Sequence, residues 1–207
     1  MRFVSRVASL VLTAALTSQS KLEPSSLPDS PQSLYYVILA RGDAKPPDTG
    51  RGLLVVLPGG DGSREFIDWV ETIATQAPDD SITVFVTAPK WDAGQEIVWP
   101  LASSKVGAAK YTTEAYVAAV VEAVRKQDTC DPARTVMLTW SSSGPVAWTM
   151  ALSAQAPFAR YYVAMSIFPR ATKDQIEHAR GKRFFLDQSP DDTNRRMSAT
   201  SRRPRAH

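Results

Sequence analysis

The sequence is poor in cysteine and histidine. Cys130 is the one cysteine in 207 residues, so no internal disulfide can form and the fold must rest on packing. There are two histidines, His178 and His207, and the second is the last residue. The apolar run near the N-terminus, Val7 to Leu16, falls well short of the roughly 20 residues that a membrane-spanning helix needs. No heptad pattern, internal repeat, cluster of metal ligands or organic-cofactor signature is present. The net charge of +3 is outweighed by Arg195, Arg196, Arg202, Arg203 and Arg205 alone, so the rest of the chain is slightly acidic. Nucleic-acid binding calls for basic groups arranged on a face with aromatic or groove-reading elements, and the body of the chain has none.

What is there divides into four stretches. Residues 1–20 place Arg2 and Arg6 before the short apolar run and small, polar residues after it, the pattern of a signal peptide and hence of export to the periplasm or medium. Residues 21–33 carry three prolines without apolar periodicity and read as a linker, so order is expected from about Leu34. Residues 34–192 form one domain, a length that suits a single core. Residues 193–207 are basic, nearly free of apolar side chains and expected to be disordered.

Within the domain, strands and helices alternate. Leu34 to Ala40, Leu53 to Leu57, Ile82 to Ala88, Val136 to Trp140, Tyr161 to Phe168 and Arg183 to Leu186 are short apolar runs of the kind a sheet covered on both faces requires. Phe66, Trp69, Val70 and Ile73 recur at helical spacing, as do Val117, Val120, Val121 and Val124 in a helix beginning near Thr112. Asp174 to Arg180 reads as a short helix, and Lys90 to Lys110 as a long connection. This order predicts an α/β fold with a mostly parallel, doubly wound sheet.

Two turns carry chemical interest. In Arg134 to Trp148, RTVMLTWSSSGPVAW, a strand breaks into three consecutive serines and then a helix with proline in its first turn. In LVVLPGGDGS a strand ends in a glycine turn that can aim backbone N–H groups outward. That turn lacks the Lys and Ser/Thr of a phosphate-binding loop. A flavodoxin-like nucleotide site would need such a loop earlier in the chain.

With WDAGQEIVWP and LDQSPDD added, these segments resemble the phospholipase/carboxylesterase type of α/β hydrolases, in particular the exported bacterial esterases, over about Gly52 to Asp192. The resemblance implies a serine ester hydrolase without cofactor or metal, acting on a small-molecule or lipid ester. Its nucleophile elbow demands small residues two before and two after the nucleophile. Thr139 and Ser143 satisfy this for Ser141, whereas Ser142 would set Trp140 there; Ser141 is therefore favoured and Ser142 is the alternative. The resemblance further implies an oxyanion hole from the amides of Ser142 and Gly60, with Pro58 where histidine is often found. It places the acid at Asp192, with Asp191 as runner-up. Trp91 and Trp99 are candidates for walls of an acyl pocket or for core packing.

A triad also needs a histidine after the acid. His178 precedes Asp192 in a charged helix, and His207 has the right order without the Gly-His turn of the resembled family. The expected reading is a C-terminally truncated or frameshifted hydrolase, and the alternative to an esterase is a non-catalytic remnant or binding module. Oligomeric state is open at this level.

Overall fold

The computed structural model describes residues 23–168 and 170–188. The expected signal peptide, the tail 193–207 and Asp191, Asp192 and His207 lie outside the described residues.

Six strands form one sheet in the order β1-β3-β2-β4-β5-β6: β1 (Tyr36–Arg41), β2 (Arg51–Leu57), β3 (Ser81–Val86), β4 (Cys130–Trp140), β5 (Arg160–Ala164) and β6 (Arg183–Asp187). β1 runs antiparallel to β3, and every other pairing is parallel. The α/β, mostly parallel expectation holds. All six residues of β3 are buried, which is why Ile82 to Val86 is apolar except for Thr83.

Successive side chains on these strands alternate between two cores. Leu53, Val55, Leu57, Val84, Met137 and Tyr161 meet Val117, Val120, Val121 and Val124 of α2 (Thr113–Arg125) and Val146 and Trp148 of α3 (Gly144–Ala151). On the opposite face Val56, Phe85 and Trp140 meet Val70 of α1 (Ile67–Ala74). Thr112 caps α2 by accepting from the Ala115 amide at 3.2 Å, the start that the sequence predicts. A short helix, α4 (Lys173–His178), connects β5 to β6 and opens with a capping box between Thr172 and Gln175.

Three segments differ from expectation. The chain is already paired before Leu34: Ser25 and Tyr36 exchange two backbone hydrogen bonds of 2.8 Å, and the Tyr111 hydroxyl donates to Pro28 O. β4 begins at Cys130, six residues early, because the strand bulges between Cys130 and Thr135, with the Asp131 carboxylate accepting the Ala133 amide at 2.8 Å. β5 stops at Ala164 because Met165 takes φ +48° and turns the chain, leaving Ile167 and Phe168 exposed. Cys130 is buried and free, and burial pushes its thiol pKa up.

One ion pair ties the sheet's lower edge. The Arg134 guanidinium donates to both oxygens of Asp80 at 2.7 and 2.6 Å, and holds that carboxyl below the usual range. A carboxylate with a lowered folded-state pKa contributes stability that is present above its unfolded value and lost as pH falls through the folded one. Asp80→Asn is therefore expected to lower the melting temperature at neutral pH, and the gap to wild type is expected to close on acidification toward about pH 3, as read by thermal melts across pH. Met137→Ala, in the fully buried centre of β4, is expected to cost about 2–5 kcal/mol in chemical denaturation.

Candidate active site

β2 and β4 are neighbours, and their register places Val56 beside Leu138 and Leu57 beside Thr139. Both strands therefore end at the same edge of the sheet, where ligands bind in open parallel sheets. The glycine turn leaves from one and the serine turn from the other.

β4 ends on Trp140 in extended conformation, and Ser141 then adopts φ +54°. The left-handed region costs a residue with a Cβ roughly 1–2 kcal/mol, and surrounding bonds must hold it there. Ser143 supplies them. Its buried Oγ accepts from the Trp140 amide at 3.1 Å and lies 2.8 Å from Leu57 O and 3.0 Å from Trp140 O, with one proton to share between these carbonyls. One hydroxyl thus joins the ends of both strands. Behind it, a Cβ on Gly144 would lie 1.9 Å from Ser166 Oγ, so the segment just after β5 packs against the elbow at a distance only glycine permits.

The three serines have different environments. Ser141 is exposed, Ser142 is half-buried with Oγ donating to Gly60 O at 2.7 Å, and Ser143 is buried with its hydroxyl engaged. The Ser142 bond also links the serine turn to the glycine turn. In the latter, Gly60 and Gly62 have φ +58° and +68°, the Gly62 amide donates to Gly59 O at 3.0 Å, and Asp61 is occupied in accepting the Ser63 amide at 3.0 Å. Among the described residues the Gly60 amide has no backbone hydrogen-bond acceptor.

Sequence reasoning missed the aromatic support. The Trp140 ring lies against Gly59, where a Cβ would come within 2.5 Å of it, and Phe66 lies against Gly60. Phe66 and Trp69 meet Trp140 edge-on with centroids 5.7 and 4.5 Å away. The signal was a tryptophan directly before the serines and a glycine pair in the turn after the neighbouring strand. Trp99 is a core residue against Gly62, and Trp91 packs on Tyr111 at 5.8 Å. Neither lines the cavity of about 690 Å³ between α3, α4 and the ends of β5 and β6, whose walls include Trp148, Phe168, Phe184 and Leu186.

His178 is exposed in the last turn of α4, before the start of β6, and thus at the edge of the sheet away from Ser141. The structure does not bring it to the serines. β6 ends at the same edge of the sheet as the serine turn: Asp187 is level with Ala164, which is level with Trp140, and the Gln188 side-chain amide donates to Ser166 O at 3.0 Å. Among the described residues no group of three His, Cys, Asp or Glu side chains could hold a metal ion, and no helix is long and apolar enough to cross a membrane.

No protein-family model matches the chain, and no curated protein does. Solved structures do. The chain is similar to a thermostable esterase, with 14% identity and a TM-score of 0.53 over 83% of this chain and 55% of that one. It is similar to the BES protein from Bacillus cereus, with 12% identity and a TM-score of 0.56 over 96% of this chain and 84% of that one. It is also similar to a lipase/esterase from Lactobacillus plantarum, with 14% identity and a TM-score of 0.53 over 84% and 81%. The chain has an α/β-hydrolase-type fold. It spans just over half the length of the thermostable esterase.

In this α/β-hydrolase fold the Ser143 hydroxyl is the main brace of the elbow. Ser143→Ala leaves the Trp140 amide and Leu57 carbonyl without that partner and is expected to destabilise the protein by about 1–3 kcal/mol. Chemical denaturation measures this, and a loss no larger than that of an exposed serine contradicts it.

Proposed function

We propose that the chain is a serine ester hydrolase with Ser141 as nucleophile. The observation that supports this best is the contrast among the three serines. Ser141 is exposed at positive φ on the strand-to-helix turn, while the hydroxyls of Ser142 and Ser143 donate to Gly60 O and Leu57 O. A hydroxyl whose proton is held by a backbone carbonyl is poorly placed to give it to a base.

In the proposed reaction Ser141 Oγ attacks the ester carbonyl carbon and the carbonyl electron pair moves onto oxygen. The amides of Gly60 and Ser142 receive that oxyanion, each donor contributing about 10²–10³ in rate in comparable sites. The tetrahedral intermediate collapses to an acyl-serine and releases the alcohol, and water completes the turnover. Asp192, or Asp191, is proposed as the acid that orients the base. His207 is the histidine with the right chain order to take the Ser141 proton and return it to the leaving alcohol. The substrate is proposed to be a small-molecule or phospholipid ester, and the N-terminal pattern supports export.

A second reading, a hydrolase-fold binding module without turnover, is favoured by one observation: the histidine of the described residues, His178, sits at the wrong edge of the sheet. Loss of the base costs on the order of 10⁶ in rate in serine hydrolases. Hydrolysis of a short-chain nitrophenyl ester by the mature protein separates the two. The esterase reading expects turnover that falls to background in Ser141→Ala and drops at least about tenfold in His207→Ala. Turnover at background in well-folded wild type supports the binding module.

A further inference from the structure

Beside the glycine turn, on its side toward β3, lies a cavity of about 250 Å³ lined from three segments, 33–35, 61–64 and 87–90. None of the three adjoins an end of the described residues. Its walls are tied together. The Ala88 amide donates to Gly62 O at 2.9 Å, the Lys90 amide to Ser33 Oγ at 2.7 Å, and the Thr87 hydroxyl to Ser33 O at 2.6 Å. A Cβ on Gly62 would lie 2.3 Å from Ala88 Cβ, so the turn is seated directly on the end of β3.

Two cations and an orphaned hydroxyl line this cavity. Ser63 Oγ is buried and has no hydrogen-bond partner among the described residues, a cost that a ligand's acceptor would remove. The Arg64 guanidinium has no ion-pair partner among the described residues. Lys90 Nζ donates to Gln95 O at 2.7 Å and keeps further N–H groups to donate. The acid among the described lining residues, Asp61, is engaged through Oδ1 by the Ser63 amide at 3.0 Å, and the two bases outweigh its charge.

Position matters as much as charge. The parallel registers set Val56 beside Phe85 and Leu57 beside Thr139, which carries Thr87, Pro58 and Trp140 to one level. Thr87 thus stands two strand spacings from Trp140, about 10 Å. The cavity and Ser141 share the edge of the sheet at which ligands bind.

We propose that this cavity is an anion subsite, in which Arg64, Lys90 and Ser63 Oγ take a carboxylate or phosphate group. Arg64 contributes a planar fork matched to a pair of oxygens, Lys90 a point charge and Ser63 a neutral donor. The anion is the far end of a short ester whose carbonyl lies at Ser141, so esters bearing a negative charge are selected over neutral ones. That selectivity rests on the esterase reading; the subsite itself does not.

Titration of the full chain with inorganic phosphate, followed by amide chemical shifts, tests the subsite. Saturable shifts are expected at residues 61–64 and 87–90, with Arg64→Gln and Lys90→Gln each weakening binding at least about tenfold. Lys173→Gln, at an exposed site on α4, is expected to leave binding unchanged. Absence of saturable shifts, or equal weakening by Lys173→Gln, overturns the proposal. The source of the anion is read from the ratio of kcat/KM for mono-nitrophenyl adipate to that for nitrophenyl hexanoate, expected to fall at least about tenfold in Arg64→Gln. A ratio that Arg64→Gln leaves unmoved overturns the substrate assignment. Protein that binds phosphate at these residues and cleaves neither ester supports the subsite and contradicts the esterase reading alone.

Discussion

The hydroxyl of Ser143 is the interaction on which the site depends. It is buried between the last residues of β2 and β4 and engages Leu57 O together with both backbone groups of Trp140. It thus fixes where two parallel strands stop relative to each other. Ser141 is held in a left-handed conformation that an exposed serine would otherwise leave. The bond from Ser142 to Gly60 O then sets the glycine turn against the serine turn. Three adjacent residues of one type carry three tasks because the turn gives each a different depth.

The sheet imposes the rest. Parallel pairing of β2 with β4, and of β4 with β5 and β6, brings Gly60, Ser141, Met165 and Gln188 to one edge although they span most of the described chain. The aromatic group of Trp140, Phe66 and Trp69 stands under the glycine turn on the α1 face, so the turn rests on rings instead of on its own short side chains. Among the described residues that face is covered by one short helix, α1. Leu54, Leu138 and Tyr162 are only partly buried there, and Phe185 continues their row into solvent. The opposite face, under α2 and α3, holds the larger core.

Much of this was legible in the sequence, because buried parallel strands are short apolar runs and their helices carry stripes at helical spacing. All six strands follow from such patterns, whereas the preference for Ser141 as nucleophile comes from the crowding at an elbow and stands as a proposal. The strand ends were less legible. The early start of β4 depends on a bulge organised by Asp131, and the early end of β5 on the positive φ of Met165, neither of which an apolar run reveals. The separate roles of Ser142 and Ser143 were not readable either. They depend on which carbonyl of a distant strand each hydroxyl reaches, over 82 and 86 residues of sequence. His178 is set aside by chain order and by its charged helix, and the fold places it in the last turn of α4, before β6.

The central claim is that one of three adjacent serines is presented for chemistry while the other two brace the turn. Peptide mapping by mass spectrometry after treating the folded, mature protein with a fluorophosphonate tests it most directly. The account predicts a single phosphonate adduct on Ser141 Oγ. An adduct on Ser142 or Ser143 would contradict it.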